Sequence, residues 1–438
     1  MPHALTDLPV HTVVRGSALR PTDPADCAVD TDVCVVGAGI AGLSAAVESA
    51  RLGRRVVLVD ALPVLGGQMV NSLIGLFCGV FGNAPEHHRL THGLLDGIFT
   101  DLEKTGDLFY RVGHTTTVGY DEVRLGRWVE GTVREHGIRT LTNATLTGVD
   151  READRVLGAR FATRFGSVDV RASGFVDASG DASLCWAAGL PCRLPERTIY
   201  GSQQLVVENV RNGGTDTRPD PAELTRVVAA KADQYGLMRR DGLAFYFPGR
   251  GTAVLNMTHI EAPLDPFAAA DAQLEGKAQA DRVVAFLRAE FPDVFGAAHV
   301  RSYGLPGRRQ TRWVAAQHQL SVAEVRAGTP FPDAVARTAW PVELHDAPDG
   351  YVWETFGPDH LHYVPLRSMT PPGTSNVLVA GRCVDGDAAA LSSIRVMGPC
   401  AAMGHAAAHV LDQVGADGSV HVVDTADLRS RIRDNIEG

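Results

Sequence analysis

The chain has 438 residues, of which 45% are hydrophobic and 21% are charged, fractions typical of a folded globular protein rather than a disordered, fibrous or membrane protein. Its 41 basic and 51 acidic residues give a net charge of -10 without a basic stripe, so nucleic acid is not expected as a partner. The seven cysteines are odd in number and include no C-x-x-C pair, which argues against a disulfide framework or a cysteine zinc site.

The first 30 residues are polar and rich in Pro and Asp, and they predict an N-terminal arm with one short strand-like run at residues 11–14. No basic region is followed by an apolar core, so we expect no signal peptide. The longest apolar stretch, residues 33–47, contains three glycines and is too short to span a bilayer. We therefore expect a cytoplasmic protein with reduced thiols and no membrane contact.

A dinucleotide-binding unit is predicted directly after this arm. An apolar strand at residues 32–36 leads into Gly37-Ala38-Gly39-Ile40-Ala41-Gly42 and a helix that ends near Gly53, and a second apolar strand covers residues 55–60. Glycines at these positions let the backbone turn tightly beside a diphosphate, and the helix N-terminus supplies donors to it. Asp60 ends the second strand and is placed to accept hydrogen bonds from ribose hydroxyls.

The segment Leu65-Gly66-Gly67-Gln68 follows the second strand and favours a flavin over a nicotinamide dinucleotide. Small residues there let the backbone pass close beneath a flat ring system. The same pair of glycines is also compatible with an ordinary loop.

Further elements are predicted along the rest of the chain. We expect helices at residues 121–137, 184–188, 268–290 and 395–411, and strands at 140–146, 156–162, 167–172, 175–181 and 377–382. The apolar face of the helix at 121–137 is predicted to comprise Val123, Trp128, Val129 and Val133. Between about residues 195 and 365 the composition becomes more aromatic and Pro-rich, without a second glycine turn. This region predicts a substrate or cap domain.

Four stretches, at residues 32–42, 57–67, 175–189 (Phe-Val-Asp-Ala-Ser-Gly-Asp) and 376–408 (Asn-Val-Leu-Val-Ala-Gly-Arg), resemble the broad FAD-dependent oxidoreductase family related to the glutathione-reductase and fumarate-reductase flavoproteins. The resemblance implies an α/β fold: a Rossmann-like FAD-binding domain with a parallel sheet and a β-meander, split around a mixed α+β cap domain. The predicted limits are 1–30 for the arm, 31–195 and 366–425 for the FAD-binding domain, 196–365 for the cap and 426–438 for a tail.

The motifs and the resemblance together assign a set of positions to FAD. They are Gly37, Gly39, Ile40, Ala41, Gly42, Asp60, Ala61, Gly67, Gln68, Met69, Thr145, Ala178, Gly180, Gly381, Arg382, Asp387 and Met397. No histidine precedes Gly66 where fumarate-reductase-like proteins attach flavin covalently, so dissociable FAD is expected. The segment Arg309-Gln-Thr-Arg312 resembles an arginine-rich part of the family more weakly, because Trp313 and Ala316 depart from its pattern.

Three residues are predicted to be catalytic. The resemblance places Arg395 at the start of a helix aimed at the flavin, where positive charge would stabilise the reduced ring. A base near the substrate is also expected, and histidine is the natural candidate at neutral pH. Among the histidines of the middle region, His360 and His362 flank the return to the FAD-binding domain and are favoured over His259, His318 and His345.

Two further positions could carry chemistry but are interpreted as structural. Cys78 follows the flavin-side loop, and a buried inert thiol is the preferred interpretation. His87 and His88 form half of a metal site without an evident third ligand, so no metal is predicted.

The resulting hypothesis is an FAD-dependent dehydrogenase or oxidase that oxidises a C–N or C–O bond of a small organic molecule, with O2 or an electron carrier as acceptor. A homo-oligomer is compatible with the sequence. One alternative is a flavin monooxygenase using NAD(P)H and O2, and another is a non-catalytic flavin-binding redox protein.

Overall fold

The computed structural model describes residues 27–211 and 219–437. The strand-like run predicted at residues 11–14 lies outside the described residues. Twenty strands and twelve α-helices form within the described part of the chain.

The strands are numbered in chain order. They are β1 (Cys27–Val36), β2 (Val56–Val59), β3 (Leu76–Phe77), β4 (Leu108–Val112), β5 (Thr116–Tyr120), β6 (Arg139–Leu141), β7 (Thr145–Glu152), β8 (Arg155–Thr163), β9 (Gly166–Asp177), β10 (Cys192–Arg193), β11 (Leu205–Glu208), β12 (Leu243–Phe247), β13 (Thr252–Asn256), β14 (His299–Tyr303), β15 (Trp313–Val314), β16 (Ala334–Thr338), β17 (Val342–Leu344), β18 (Val352–Glu354), β19 (His362–Pro365) and β20 (Val377–Val379).

The helices are numbered in the same way. They are α1 (Ile40–Arg51), α2 (Gly67–Asn71), α3 (Leu94–Lys104), α4 (Glu122–Glu135), α5 (Ser183–Ala187), α6 (Pro221–Tyr235), α7 (Pro266–Glu290), α8 (Pro292–Phe295), α9 (Val322–Ala327), α10 (Ala388–Ile394), α11 (Met397–Val414) and α12 (Thr425–Arg431).

A seven-stranded sheet forms the larger layer of the molecule. Its order is β6-β2-β1-β9-β8-β7, and β20 also pairs with β9. The pairs β1/β2, β1/β9, β2/β6 and β9/β20 are parallel, whereas β7/β8 and β8/β9 are antiparallel. The sheet therefore combines a parallel half with a β-meander, and the predicted α/β fold class is confirmed.

The strand register brings three distant segments to one edge of this sheet. Val36 at the end of β1 is aligned with Val59 in β2 and with Asp177 in β9. Because the carboxyl ends of parallel strands meet at the same edge, the chain that follows each of these residues lies at a common crevice. The strands β2 and β20 and the last four residues of β1, Val33–Val36, are apolar and buried, which suits a parallel sheet covered on both faces.

Two predicted boundaries at this sheet differ from the structure. β1 begins at Cys27 and pairs along β9 from there, so residues 27–30 belong to the sheet and not to the predicted arm. The strands expected at 167–172 and 175–181 form one strand, β9. Gly174 lies within it because a β-carbon there would come 2.8 Å from Leu411 of α11, so the glycine makes room for this helix.

Helix α4 matches its prediction in length but not fully in its face. Asp121 caps its N-terminus by accepting hydrogen bonds from two backbone N–H groups, as short acidic side chains commonly do. Leu125, Val129 and Val133 are buried, whereas Val123 is exposed, so its place on the predicted apolar face was wrong.

A second, smaller core lies in the middle of the chain. A four-stranded antiparallel sheet, β12-β13-β11-β14, packs against α6 and α7, with buried side chains drawn from residues 205–298. Most buried apolar residues from 313 onward instead join the main core. The predicted cap limits of 196–365 remain a prediction. No helix in residues 27–211 or 219–437 combines the length and apolar composition needed to cross a membrane.

Candidate functional site

The glycine turn after β1 is shaped by close contacts on two sides. Gly37 has a φ of +104°, and a β-carbon there would lie 2.3 Å from the carbonyl oxygen of Ala178. A β-carbon at Gly42 would lie 1.8 Å from the carbonyl oxygen of Gly37. Both positions therefore exclude any side chain, which explains two of the three glycines of the motif.

Gly39, the middle glycine of the turn, has open space where the other two glycines have close contacts. A β-carbon at Gly39 would meet no heavy atom of the described residues within 4 Å, beyond its own neighbours and helix. Gly39 is also the N-cap of α1, with no side chain capping the helix and no acidic residue in the first turn. The uncapped N-terminus of α1, which begins at the predicted residue Ile40, thus faces open space at Gly39, which fits a bound diphosphate, whereas the predicted residue Ala41 is buried.

Asp60 lies beside this turn with its carboxylate already engaged. It is 9% exposed, and its two oxygens accept hydrogen bonds from the backbone N–H groups of Ala38 (2.6 Å) and Leu62 (2.7 Å). Burial raises the pKa of Asp60, and these two hydrogen bonds oppose the rise. Ala61 next to it is exposed, and the ribose contact of Asp60 and the cofactor role of Ala61 remain predictions.

The Gly66-Gly67 segment packs against the first turn and is not a free loop. Both glycines have positive φ, and a β-carbon at Gly67 would lie 2.7 Å from the Cα atom of Gly39. Gln68 donates a hydrogen bond from Nε2 to the carbonyl oxygen of Arg308 (3.0 Å), and Met69 is buried. This segment therefore joins the glycine turn to the residues preceding Arg309.

The third segment at the crevice follows β9. Gly180 has a φ of +82°, and a β-carbon there would lie 2.0 Å from Nη2 of Arg382. Nη1 of Arg382 is buried without a hydrogen-bond partner in the described residues and lies 3.8 Å from Oδ1 of Asp181. A partly buried guanidinium with one unused donor, close to the glycine turn, suits the charge of a dinucleotide diphosphate.

The other predicted cofactor residues occupy varied positions. Gly381 approaches α1, because a β-carbon there would lie 3.1 Å from Cβ of Ala41. Asp387 caps α10 by accepting from Ala390 and also accepts a hydrogen bond from Val322. Met397 is buried as the first residue of α11, and Thr145 is exposed at the start of β7. The roles of these residues in FAD binding remain predictions.

Arg395 lies between two helices and not inside one. It follows α10 as its C-cap and precedes α11, which begins two residues later than the predicted helix. Nη2 donates to the carbonyl oxygen of Glu343 (3.1 Å), while Nε is buried without a hydrogen-bond partner in the described residues. Burial lowers the pKa of Arg395 to about 10, which still leaves the guanidinium charged at neutral pH.

The two favoured histidines are held in a closed hydrogen-bond chain. Nε2 of His362 lies 2.8 Å from Oγ of Ser393, and Nδ1 lies 3.3 Å from Nε2 of His360. His360 in turn stacks on Phe356 with ring centroids 4.0 Å apart. Burial, reinforced by His360, lowers the pKa of His362 to about 3, so it is neutral and has both ring nitrogens engaged.

A second polar chain, which the sequence analysis did not assemble, contains Glu343, His345 and His259. Nε2 of His345 lies 3.0 Å from Oε1 of Glu343, and Nδ1 of His345 lies 2.9 Å from Nε2 of His259. Nδ1 of His259 lies 2.9 Å from the carbonyl oxygen of Pro348. His345 is 1% exposed and Glu343 is 20% exposed, so Glu343 is the more exposed end of the chain, and its Oε2 accepts a hydrogen bond from Nε1 of Trp340 (3.1 Å).

With both histidines neutral, this chain has one hydrogen too few to form a hydrogen bond at every contact. A carbonyl oxygen only accepts, so Nδ1 of His259 carries a hydrogen and its Nε2 accepts from Nδ1 of His345. Nε2 of His345 then has a lone pair facing the carboxylate of Glu343. Their contact becomes a hydrogen bond only when the pair takes up one proton.

Arginines surround the pair. Arg309 donates from Nη1 to the carbonyl oxygen of Tyr200 (2.8 Å), and burial lowers its pKa to about 9. Neither Arg309 nor Arg395 lies within 4.0 Å of a carboxylate oxygen of the described residues, whereas the buried Arg239 is paired with Asp241. Burial and then the positive charges of these arginines hold the pKa of His345 far below its ordinary value.

The remaining candidates have structural partners. Nδ1 of His87 lies 2.9 Å from Oγ1 of Thr116, and the ring of His88 lies against Gly82. Burial raises the pKa of the Cys78 thiol well above its ordinary value, and the nearby Glu343 adds to the rise. Of the histidines weighed earlier, His318 pairs with Glu324 at 3.2 Å.

Comparison with known proteins extends this picture. Residues 32–432 match the family model described as FAD dependent oxidoreductase. A "KsdD-like steroid dehydrogenase" of Mycolicibacterium smegmatis is 49% identical over 63 residues, which are 14% of this chain and 11% of that protein. The Escherichia coli protein named "Probable electron transfer flavoprotein-quinone oxidoreductase YgcN" is 26% identical over 136 residues, 30% of this chain and 32% of that protein. The aligned parts thus span less than two thirds of either relative.

Among solved structures, a geranylgeranyl bacteriochlorophyll reductase-like protein from Thermoplasma acidophilum is similar with a TM-score of 0.48 and 15% identity, covering 93% of this chain and 82% of that one. The family match covers most of the chain. The chain therefore belongs to the FAD-dependent oxidoreductase family, and it is an enzyme whose cofactor is FAD.

Proposed function

We propose that this enzyme is a dehydrogenase or oxidase that oxidises a C–N or C–O bond of a small organic substrate carrying an anionic group, with FAD bound non-covalently. The observation that carries the proposal is the Glu343–His345 pair beside Arg309 and Arg395, two cations without a carboxylate partner among the described residues. FAD, when bound, supplies the two-electron acceptor that such an oxidation needs.

The position of this pair relative to the cofactor crevice supports the proposal. Gln68 of the cofactor-side segment contacts the carbonyl of Arg308, and Arg309 follows directly. On the other side, Arg395 precedes α11, whose first turn packs against the chain near Gly79, and Gly381 approaches both Ala41 and Cys400. The pair therefore lies where the cap-side residues meet the segments predicted to hold the flavin.

We assign proton uptake to Glu343 and His345. Oxidation of an alcohol or amine releases a proton from O–H or N–H, and a positioned base accelerates that release. The carboxyl group of Glu343, the more exposed end of the chain, would receive this proton and share it with Nε2 of His345. The nearby guanidinium charges favour loss of the proton afterwards, which keeps the pair ready for the next turnover.

We assign recognition of the substrate anion to Arg309. Burying a guanidinium without a carboxylate partner costs free energy, and an incoming anion offsets that cost. Arg395 lies directly before the N-cap of α11. It is proposed to stabilise the negative charge that accumulates on the flavin when the flavin is reduced, as the family resemblance implied. His360 and His362, with all ring nitrogens engaged, are proposed to support the fold beside this site.

Anaerobic bleaching of the flavin absorbance tests the proposal. The probes are 2-hydroxy acids and amino acids, each compared with its neutral ester or amide. We expect reduction by an acid and at least about tenfold slower reduction by its neutral counterpart, because an anion contact in a buried site is worth over 1.4 kcal/mol. Equal rates with neutral probes would reject the anion assignment.

The same assay separates the monooxygenase alternative. A rapid loss of flavin absorbance with NADPH alone, followed by oxygen-dependent hydroxylation of the substrate, would replace our proposal with that function. Membership in an oxidoreductase family favours an enzyme over the non-catalytic flavoprotein that the sequence also allowed.

A further inference from the structure

A compact group of metal-ligand side chains lies between α1 and α11, outside the site described above. It consists of Glu48 on α1 and of His405 and His409 on α11. The two histidines are four residues apart in one helix, so both project from the same face. Their ring centroids are 4.7 Å apart.

The ligand atoms already converge. Nε2 of His409 lies 3.1 Å from Oε1 of Glu48, and Nδ1 of His405 lies 3.5 Å from Oε2. One ligand atom from each residue lies within 4.8 Å of the other two. An ion between three such atoms would be at most about 2.8 Å from each, so shifts of under about 1 Å reach the 2.0–2.2 Å of zinc bonds.

The group is buried and incompletely satisfied. The side chains of Glu48, His405 and His409 are 12%, 12% and 9% exposed. Nδ1 of His405, the atom that faces Glu48, is buried without a hydrogen-bond partner in the described residues. A nearly buried carboxylate beside an imidazole nitrogen that has no hydrogen-bond partner in the described residues is therefore available to an ion.

A cavity gives access to the group from solvent. It has a volume of about 450 Å³ and is lined by Glu48, His405 and His409 together with His92, Asp96 and Asn435. Arg51 lies 3.5 Å from Oε2 of Glu48, but its side chain is 40% exposed and can move into solvent. Three protein ligands would leave at least one coordination position facing the cavity, open to water.

We propose that Glu48, His405 and His409 bind a divalent transition-metal ion, with zinc as the best match. Two imidazole nitrogens and one carboxylate oxygen suit Zn²⁺, whereas Ca²⁺ and Mg²⁺ prefer oxygen ligands alone. Glu48 lies eight residues from the start of α1, roughly 12 Å along the helix from the glycine turn. The ion would therefore link the two helices that pack beside the cofactor without contacting the reacting atoms.

Zinc binding to the chelator-treated, FAD-loaded enzyme tests this inference. Equilibrium dialysis against ZnCl2 with elemental analysis should give about one Zn²⁺ per chain, and Glu48→Gln and His409→Gln should each weaken binding at least about tenfold. Millimolar Ca²⁺ or Mg²⁺ should not displace the zinc. FAD absorbance and the Tm without metal show that each variant is folded.

Glu208 and His299 provide the matched control. They form a single exposed pair, with Nε2 of His299 lying 2.8 Å from Oε1 of Glu208, and the variant His299→Gln should bind zinc as the wild type does. Absence of zinc from the wild-type enzyme would overturn the proposal. So would wild-type binding by the folded Glu48→Gln and His409→Gln variants, or a loss of zinc caused equally by His299→Gln.

Discussion

Nε2 of His345 and Oε1 of Glu343 lie 3.0 Å apart, and the hydrogen-bond chain behind His345 leaves no hydrogen for that contact. Two residues at alternate positions of one extended segment thus form a pair that is completed by gaining a proton. This geometry favours proton uptake by the pair, because one added proton creates a hydrogen bond that neither residue could form alone.

Replacing Glu343 by Gln removes the group that takes up the proton but keeps its size. We expect kcat/KM to fall about 10²- to 10⁴-fold, the usual contribution of a positioned base. Steady-state kcat/KM with the substrate identified by flavin bleaching measures this effect.

Glu354→Gln is the matched control for this change. Glu354 lies on the neighbouring strand β18 and pairs with Arg326 at the surface, so its loss should leave kcat/KM intact. An unchanged kcat/KM in the folded Glu343→Gln variant would remove the proposed role of the pair.

Arg309 and Arg395 are expected to affect different kinetic constants. Arg309→Met should raise KM for an acidic substrate with little change for its neutral ester, because it removes an anion contact. Arg395→Met should lower kcat about 10²-fold, as loss of one electrostatic stabiliser does, while Arg395→Lys should recover part of the rate. FAD content measured by absorbance should remain unchanged.

Arg301→Met is the reference for both arginine variants, since Arg301 is exposed on β14 within the smaller sheet. If Arg309→Met and Arg395→Met altered kcat and KM no more than Arg301→Met, both assignments would be wrong.

Substitutions at two glycines of the turn should separate an effect on FAD binding from an effect on folding stability. Gly39→Ala adds a methyl group to open space, so the apoprotein should keep its Tm, but FAD binding should weaken at least about tenfold as the methyl enters the diphosphate position. Gly42→Ala places the methyl against the carbonyl of Gly37 and should destabilise the fold by about 1–3 kcal/mol.

Thermal unfolding of apoproteins and fluorescence titration with FAD measure the two effects separately. A Gly39→Ala variant that binds FAD like the wild type would show that the diphosphate does not occupy this space.

The sequence predicted the strand, glycine turn and helix of the crevice because their signals are local. The strand, glycine turn and helix follow one another within 30 residues, and each glycine has a nearby steric or functional reason. The polar chain was missed because His259 and His345 are 86 residues apart and meet only through the tertiary fold. The spacing of His405 and His409 was visible, but its third ligand, Glu48, comes from the other end of the chain.

The prediction of two strands in place of the single strand β9 was wrong for a related reason. Gly174 looks like a strand break in sequence, yet it continues β9 because Leu411 from a distant helix packs against it. A local sequence pattern does not show that a glycine in a strand leaves space for a large side chain from a distant helix.

His362 offers a test that distinguishes a structural from a catalytic histidine. Its pKa falls from an ordinary value of 6.5 to about 3 in the folded protein, because the neutral ring is buried between Ser393 and His360. The unfolded chain then binds more protons between these two pH values. The contribution of His362 to the free energy of unfolding is therefore fully present above pH 6.5. It is lost as the pH falls toward 3, by up to about 1.4 kcal/mol per pH unit.

Replacing His362 by Asn removes this titration. We expect the variant to be less stable than the wild type by about 1–3 kcal/mol at pH 7, through loss of a buried hydrogen bond, but to show a shallower decrease in unfolding free energy between pH 6.5 and 4. Urea unfolding at several pH values measures this slope. If instead the folded variant kept the wild-type slope and lost kcat/KM by more than about 10²-fold, His362 would be the base and the Glu343–His345 assignment would have to yield to it.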